Sequence, residues 1–219
     1  MKRIIFLALV SLLNLTSLYC QNTYREYAAG VEDALLYRHA KIAPRYRFNY
    51  EGSPYVESDF FIAGDFVYDG VRYEDVLLNL NAEEDLLYLM VSENSRPLVM
   101  LTELVSSFTL GSKRYVNLSA DGPGGNFYEI LAEGGVTLYK YTQKVHFKTA
   151  DGDNHTVRHS FDPKVKYYLY DGTSYKSVSS SRDIIKMFPD RKKEIKAFLK
   201  KSGLSPRHES ALVTSVTIL

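Results

Sequence analysis

The chain contains one cysteine, Cys20, and no tryptophan in 219 residues. Its longest uninterrupted apolar run, Ile4–Val10, is well short of the roughly 20 residues that cross a bilayer as a helix. No G-x-S-x-G is present, so the usual cue for an exposed serine nucleophile is missing. The Gly122-Pro123-Gly124-Gly125 stretch has no Lys-Ser/Thr after it, which excludes a phosphate-cradling loop of the P-loop kind.

The first twenty residues have the layout of a secretory signal peptide. Lys2 and Arg3 precede the Ile4–Val10 run, and Leu12, Leu13, Leu15 and Leu18 prolong it among small polar residues. Cleavage is expected between Cys20 and Gln21. An acylated Cys20 is the rival reading, and Tyr19 opposes it because lipoprotein sites want a small residue there. With residues 1–20 removed the mature chain has no cysteine, which excludes disulfides, thiolate catalysis and cysteine-ligated metals. An exported location follows, in the periplasm or on the outer surface, and the core alone must hold the fold. A chain of this length can bury one.

The formal net charge of +1 conceals a division. Residues 21–139 carry 9 Lys/Arg against 18 Asp/Glu, whereas residues 140–219 carry 16 against 8. The preferred reading is that strands of the two halves lie side by side and pair these charges; an acidic and a basic surface for partners is the alternative.

The segment 21–44 is the least β-like, with a short helix expected over Val31–Arg38 and ended by Pro44. From Arg45 to about residue 180 the punctuation is that of short strands and tight turns. Runs are expected at Phe60–Tyr68, Val71–Leu80, Leu86–Val91, Pro97–Leu101, Ser107–Leu110, Arg114–Leu118 and Phe127–Ala132. Val136–Tyr141, Lys144–Lys148, Thr156–Phe161, Lys166–Tyr170 and Ser174–Val178 follow. Asp69-Gly70 between two such runs specifies a type I′ hairpin, since both central residues need positive φ. The same chemistry recurs as Asp69-Gly70-Val71-Arg72-Tyr73 and Asp171-Gly172-Thr173-Ser174-Tyr175, with a weaker echo at Gly111–Tyr115. The spacing predicts a mainly β fold, an antiparallel meander forming a barrel-like sheet or sandwich. Two short C-terminal helices are expected over 181–219. One is capped by Asp190 and runs Arg191–Lys201 to Gly203, with Ile195, Phe198 and Leu199 as its apolar stripe. The other starts at Ser205-Pro206 and buries Ala211, Leu212, Val213 and Val216.

Chemistry-bearing residues are sparse in pattern. His155 and His159 are four apart, but on a strand that spacing is about 13 Å, too far to share a metal. Asp151, Asp153 and Asn154 read as turn residues, lacking the later glutamate of a calcium loop. The carboxylate pairs Glu83–Glu84 and Asp59–Asp65 neither show nor exclude a glycosidase pair. Arg191, Lys192, Lys193, Lys196, Lys200 and Lys201 make a basic helix, read as a solvated face with Lys200 and Lys201 at the negative end of the dipole. Eighteen tyrosines suit half-buried strand positions. No catalytic residue, cofactor or metal ligand is assigned, and nucleic acid is not an expected partner.

The stretch from Phe66 to Leu80 with Asp85-Leu86-Leu87-Tyr88, then Phe127–Leu131 and Leu138-Tyr139-Lys140, then Lys192–Lys200 before Leu204 and Glu209, resembles a family of uncharacterised secreted proteins of Bacteroidetes-type bacteria. The resemblance implies a periplasmic or outer-surface location and no assigned activity or site residue. The chain departs from that pattern at Asn79-Leu80-Asn81, where an aromatic-aspartate pair is expected, and in its short tail after Val213. The expected function is non-catalytic binding of an envelope protein, lipid or glycan. The alternative is a hydrolase of envelope polymers using a carboxylate pair.

Overall fold

Residues 40–92, 95–150 and 157–219 are described by the computed structural model. The leader, the Val31–Arg38 helix, His155 and the Asp151–Asn154 turn therefore lie outside the described residues.

The described strands are β1 (Lys41–Ile42), β2 (Tyr50–Gly52), β3 (Ile62–Tyr68), β4 (Val71–Asn81), β5 (Leu86–Met90) and β6 (Leu98–Val99), followed by β7 (Val105–Leu110), β8 (Lys113–Asn117), β9 (Phe127–Glu133), β10 (Thr137–Ala150), β11 (Val157–Tyr170) and β12 (Tyr175–Val178). They form one sheet in the order β1-β6-β5-β4-β3-β7-β8-β9-β10-β11-β12. Pairing is antiparallel except where β2 lies parallel to β11 at His159–Phe161. The expected antiparallel meander is thus the observed fold.

The ladder does not close into a barrel. The sheet does curl far enough for the β4–β5 turn to reach β10, where Lys144 N–H donates to the Ala82 carbonyl at 2.9 Å. Because that N–H leaves the β10–β11 ladder, the Lys144–Pro163 pair has no bond to lose and the proline nitrogen faces the outer edge. The expected runs on either side of Pro163 thus join into the 14-residue strand β11, and those on either side of Thr142-Gln143 join into the 14-residue strand β10. A proline that reads as a strand break is harmless on an unpaired edge.

Turn chemistry follows the sequence closely. Asp69 and Gly70 have φ of 50° and 77°, as a type I′ turn requires. Gly64 allows β3 to pass the Thr109 carbonyl, where any Cβ would collide with it. A bulge at that point puts Asp75 at φ 53°, its N–H donating to Asp65 Oδ1 at 3.2 Å.

The C-terminal segment holds three described helices, one more than expected: α1 (Ser181–Met187), α2 (Lys192–Ser202) and α3 (Glu209–Thr217). Alternation of Ser and charge hid α1, whose buried Ile184 is its only deep apolar anchor. Asp190 lies in a 3-10 turn, Pro189–Arg191, and Arg191 is the N-cap of α2. Gly203 ends α2 at φ 64°, as expected. Ser205-Pro206 sits in the preceding turn, and His208 caps α3 by accepting from Ser210 N–H at 3.3 Å. Phe198 leaves the expected stripe and stands 44% exposed, while Ile195 and Leu199 are buried. The helices cover one face of the sheet, with Leu138, Leu169 and Val178 against Ile184, Ile195, Leu212 and Val216. Each such side chain contributes about 1.5–3 kcal/mol of burial. None of the described helices is long and apolar enough to cross a membrane.

Asp183 in α1 accepts the backbone N–H groups of Ser179 and Ser180, each at 3.0 Å. The Ser179 N–H is the main cause that holds its carboxyl below the usual range. Asp183→Ala is expected to lower stability by about 1–2 kcal/mol, a Tm loss of roughly 3–6 °C. A depressed carboxylate stabilises above its unfolded pKa and loses that contribution as pH falls through the folded value. Thermal melts should therefore show the gap between wild type and variant closing below about pH 4.

Candidate functional site

A groove of about 840 Å³ is lined by residues of both repeated Asp-Gly segments. Asp69 and Gly70 of the β3–β4 turn form one wall, and Thr173 and Tyr175 of the β11–β12 connection form another. The sequence echo between 69–73 and 171–175 thus marks two walls of one site. Glu103, on a 3-10 turn at Thr102–Leu104, and Asp121, on the β8–β9 loop, complete the acidic lining.

Each wall is braced by backbone hydrogen bonds. Asp69 N–H donates to the Leu104 carbonyl at 2.8 Å, tying the hairpin turn to the 3-10 turn. Asn117 Nδ2 donates to the Thr102 and Val105 carbonyls at 2.6 and 2.7 Å, while its Oδ1 accepts Ser119 N–H at 2.8 Å. Asp171 Oδ1 accepts the N–H groups of Thr173 and Ser174 at 3.0 and 2.9 Å, and Lys176 pairs with Oδ2 at 2.8 Å. The Asp171 charge is therefore spent on its own turn, in contrast to those of Asp69, Glu103 and Asp121. These three are exposed and form no ion pair among the described residues. Among the described residues no lysine, arginine or histidine lines the groove.

Tyr170 and Tyr175 stack at 4.6 Å between ring centroids and 28° between planes, and both line the groove. Burial, then Tyr139, Tyr170 and Asp121, push the Tyr175 hydroxyl above its ordinary pKa, so it stays a neutral donor. Tyr139, Tyr168 and Tyr128 continue the aromatic surface inward. Asp85, half-buried in the β4–β5 turn, holds the loop that carries Asp121 by accepting from Asn126 N–H at 2.5 Å and Phe127 N–H at 3.3 Å.

A second cluster lies at the far end of β10 and β11. His159 meets His146 across the strands, Nδ1 to Nε2 at 2.9 Å, and Phe48 stacks on His159 at 3.8 Å. His146 Nδ1 stands 3.6 Å from Glu83 Oε1. Burial first, then His146 and Lys148, lower the His159 pKa. His159 is thus half-buried, and its partner is a histidine that the sequence spacing did not single out. Diagonal neighbours across an antiparallel pair carry no i, i+4 signal.

Of the two carboxylate pairs of the sequence, Glu83 and Glu84 share one network through Tyr46 and Asn81, whereas Asp59 and Asp65 have unrelated partners. Glu83 accepts from the Tyr46 hydroxyl, while Glu84 accepts from Tyr88 and Asn81. Asp59 takes Ser53 and Tyr50, and Asp65 takes Arg72. Glu129 and Glu209 also converge, with Lys140 between them at 3.6 and 2.9 Å. Lys140 neutralises both, which makes this a clamp between α3 and the sheet. Among the described residues no group of three or more His, Cys, Asp or Glu is arranged to hold a metal ion.

The charge division of the sequence survives folding. Strand order places β1 and β3–β8 at one end of the sheet and β10–β12 at the other, so the halves meet along β9–β10 and where β2 lies on β11. Comparison with protein-family models, with curated proteins and with solved structures finds no match to this chain.

Proposed function

We propose that this chain is a non-catalytic binding protein of the cell envelope whose acidic, tyrosine-walled groove takes a basic segment of a partner protein. The observation that carries this reading is the groove lining: three exposed, unpaired carboxylates beside two stacked tyrosines, with no basic side chain. Carboxylates draw in an ammonium or guanidinium, and a tyrosine face adds cation–π attraction of about 0.5–1 kcal/mol at an exposed site. The groove is open, which suits an extended chain better than a sequestered lipid. The signal-like leader and the resemblance to secreted envelope proteins support placement in the periplasm or on the outer surface. The hydrolase alternative draws no support from Glu129 and Glu209, since Lys140 occupies the space between them.

The test is fluorescence anisotropy with a lysine-rich and a glutamate-rich peptide of equal length. Wild type should retain only the lysine-rich peptide, more weakly as salt rises. The triple variant D69N/E103Q/D121N should bind it about tenfold less, and Tyr175→Ala several-fold less. Equal binding by the triple variant, or binding of a neutral glycan in place of either peptide, would overturn the reading.

A further inference from the structure

A basic site stands apart from the acidic groove. Residues 45–50 alternate strictly in exposure: Arg45, Arg47 and Asn49 point to solvent, while Tyr46, Phe48 and Tyr50 turn inward. The inward rings pack on the histidine pair and Phe161, with Tyr46 to Phe161 at 5.4 Å and Phe48 to His146 at 5.1 Å. The Tyr46 hydroxyl is fixed by Glu83 and by Asn81 Nδ2 at 3.1 Å. The two outward guanidiniums are therefore carried on a backbone with locked side chains beneath it.

A third arginine joins them through strand register. Lys41 and Ile42 of β1 pair with Val99 and Leu98 of β6, and Ala43 N–H donates to the Pro97 carbonyl at 2.8 Å. That register sets Arg96 beside the start of the segment, where its Nη2 lies 3.4 Å from the Ala43 carbonyl. Arg45, Arg47 and Arg96 then line a groove of about 510 Å³ together with Pro44 and Tyr46, and no acid among the described residues lines it. None of the three arginines has an ion pair among the described residues. Three like charges gathered on one concave surface repel unless an anion sits among them. Guanidinium forks match the tetrahedral oxygens of a phosphate with paired hydrogen bonds, which lysines could not do.

We propose that Arg45, Arg47 and Arg96 form a binding site for a phosphate-type oxyanion carrying two or more negative charges. The group can belong to a soluble phosphorylated molecule or to a phosphomonoester lipid headgroup. The test uses the full chain with two probes: pyrophosphate followed by calorimetry, and phosphatidylcholine vesicles with or without phosphatidic acid followed by co-sedimentation. Binding of either probe by wild type is expected, with each single Arg→Gln variant about tenfold weaker and R45Q/R47Q/R96Q at least about 100-fold weaker. Arg-to-Lys replacement at all three positions should recover only part of the affinity, since charge returns without the fork. Pyrophosphate binding points to a soluble source, and vesicle binding alone points to the headgroup. All three side chains are exposed, so the Tm of each variant should match wild type. Binding that persists in D69N/E103Q/D121N separates this site from the acidic groove. Failure of wild type to bind either probe at low ionic strength, or equal binding by the triple arginine variant, would overturn the proposal.

Discussion

Lys140→Ala is expected to lower the stability of the fold by about 3 kcal/mol, the lower end of the cost of breaking a buried ion pair. Lys140 is 17% exposed and sits between Glu129, 9% exposed at its side chain, and Glu209, 36% exposed. Removing the ammonium leaves two carboxylates facing each other, one of them in the sheet interior. The partial exposure of Glu209 keeps the cost from the upper end of that range. A Tm loss of roughly 6–12 °C should follow.

The pH dependence separates this loss from simple packing damage. Burial pushes the Glu129 carboxyl up, against the pull of Lys140. Burial also acts to raise Glu209, but Lys140 and the Tyr167 hydroxyl outweigh it and hold that carboxyl below its ordinary value. Glu209 therefore stabilises above its unfolded pKa and loses that contribution as pH falls. Glu129, with a raised pKa, behaves oppositely and takes up a proton first. In the variant, protonation of Glu129 removes the charge that Lys140 no longer neutralises, so the penalty should shrink between neutral pH and about pH 4. Adding Glu129→Gln and Glu209→Gln to Lys140→Met should restore most of the lost stability. A penalty for Lys140→Ala that stays constant with pH would mean that lost packing, not charge, is the cause.

The second large effect is expected at Asp85. Its carboxylate receives Asn126 N–H, Phe127 N–H and, at 3.2 Å, the Tyr141 hydroxyl, and its backbone carbonyl receives Asn126 Nδ2 at 2.9 Å. Its φ is 56°, a left-handed conformation that Asp and Asn tolerate better than Ala. Asp85→Ala thus combines orphaned donors with backbone strain, and about 3–4 kcal/mol is expected. Asp85→Gly should be about 1 kcal/mol milder because it removes the strain but not the lost bonds. Asp85→Asn should be milder again, since it keeps an acceptor. Amide exchange at Asn126 and Phe127 is the direct measurement, with protection lost in Asp85→Ala and Asp85→Gly and kept in part in Asp85→Asn. Because the same loop carries Asp121, peptide affinity in the groove should fall without any groove residue being changed. Unaltered exchange at both amides in Asp85→Ala would mean that the loop is held by other contacts.

Much of the architecture is legible in local chemistry. The Asp69-Gly70 turn, the Gly203 helix end and most strand positions follow from residue type and period, because each is decided by neighbours a few residues away. Strand β11 reads in the sequence as two short runs on either side of Pro163. Whether a proline breaks a strand depends on which edge its nitrogen faces, and that is set by the remote contact from Ala82 to Lys144. Helix α1 was missed because its short, serine-rich sequence gains its helix from packing Ile184 beneath α2 and α3.

The candidate sites divide along the same line. By itself the sequence determined a mainly antiparallel β chain with an acidic first half and a basic second half, and the strand order keeps most strands of each half together, β2 on β11 being the exception. Only the tertiary structure decided which of those charges remain unpaired. It set Asp69, Glu103 and Asp121 around one groove, Arg45, Arg47 and Arg96 around another, and put Glu129 and Glu209 on a single lysine. The physical reason is that pairing of a charge depends on distances across strands far apart in sequence, and register and curl fix those distances where residue order cannot.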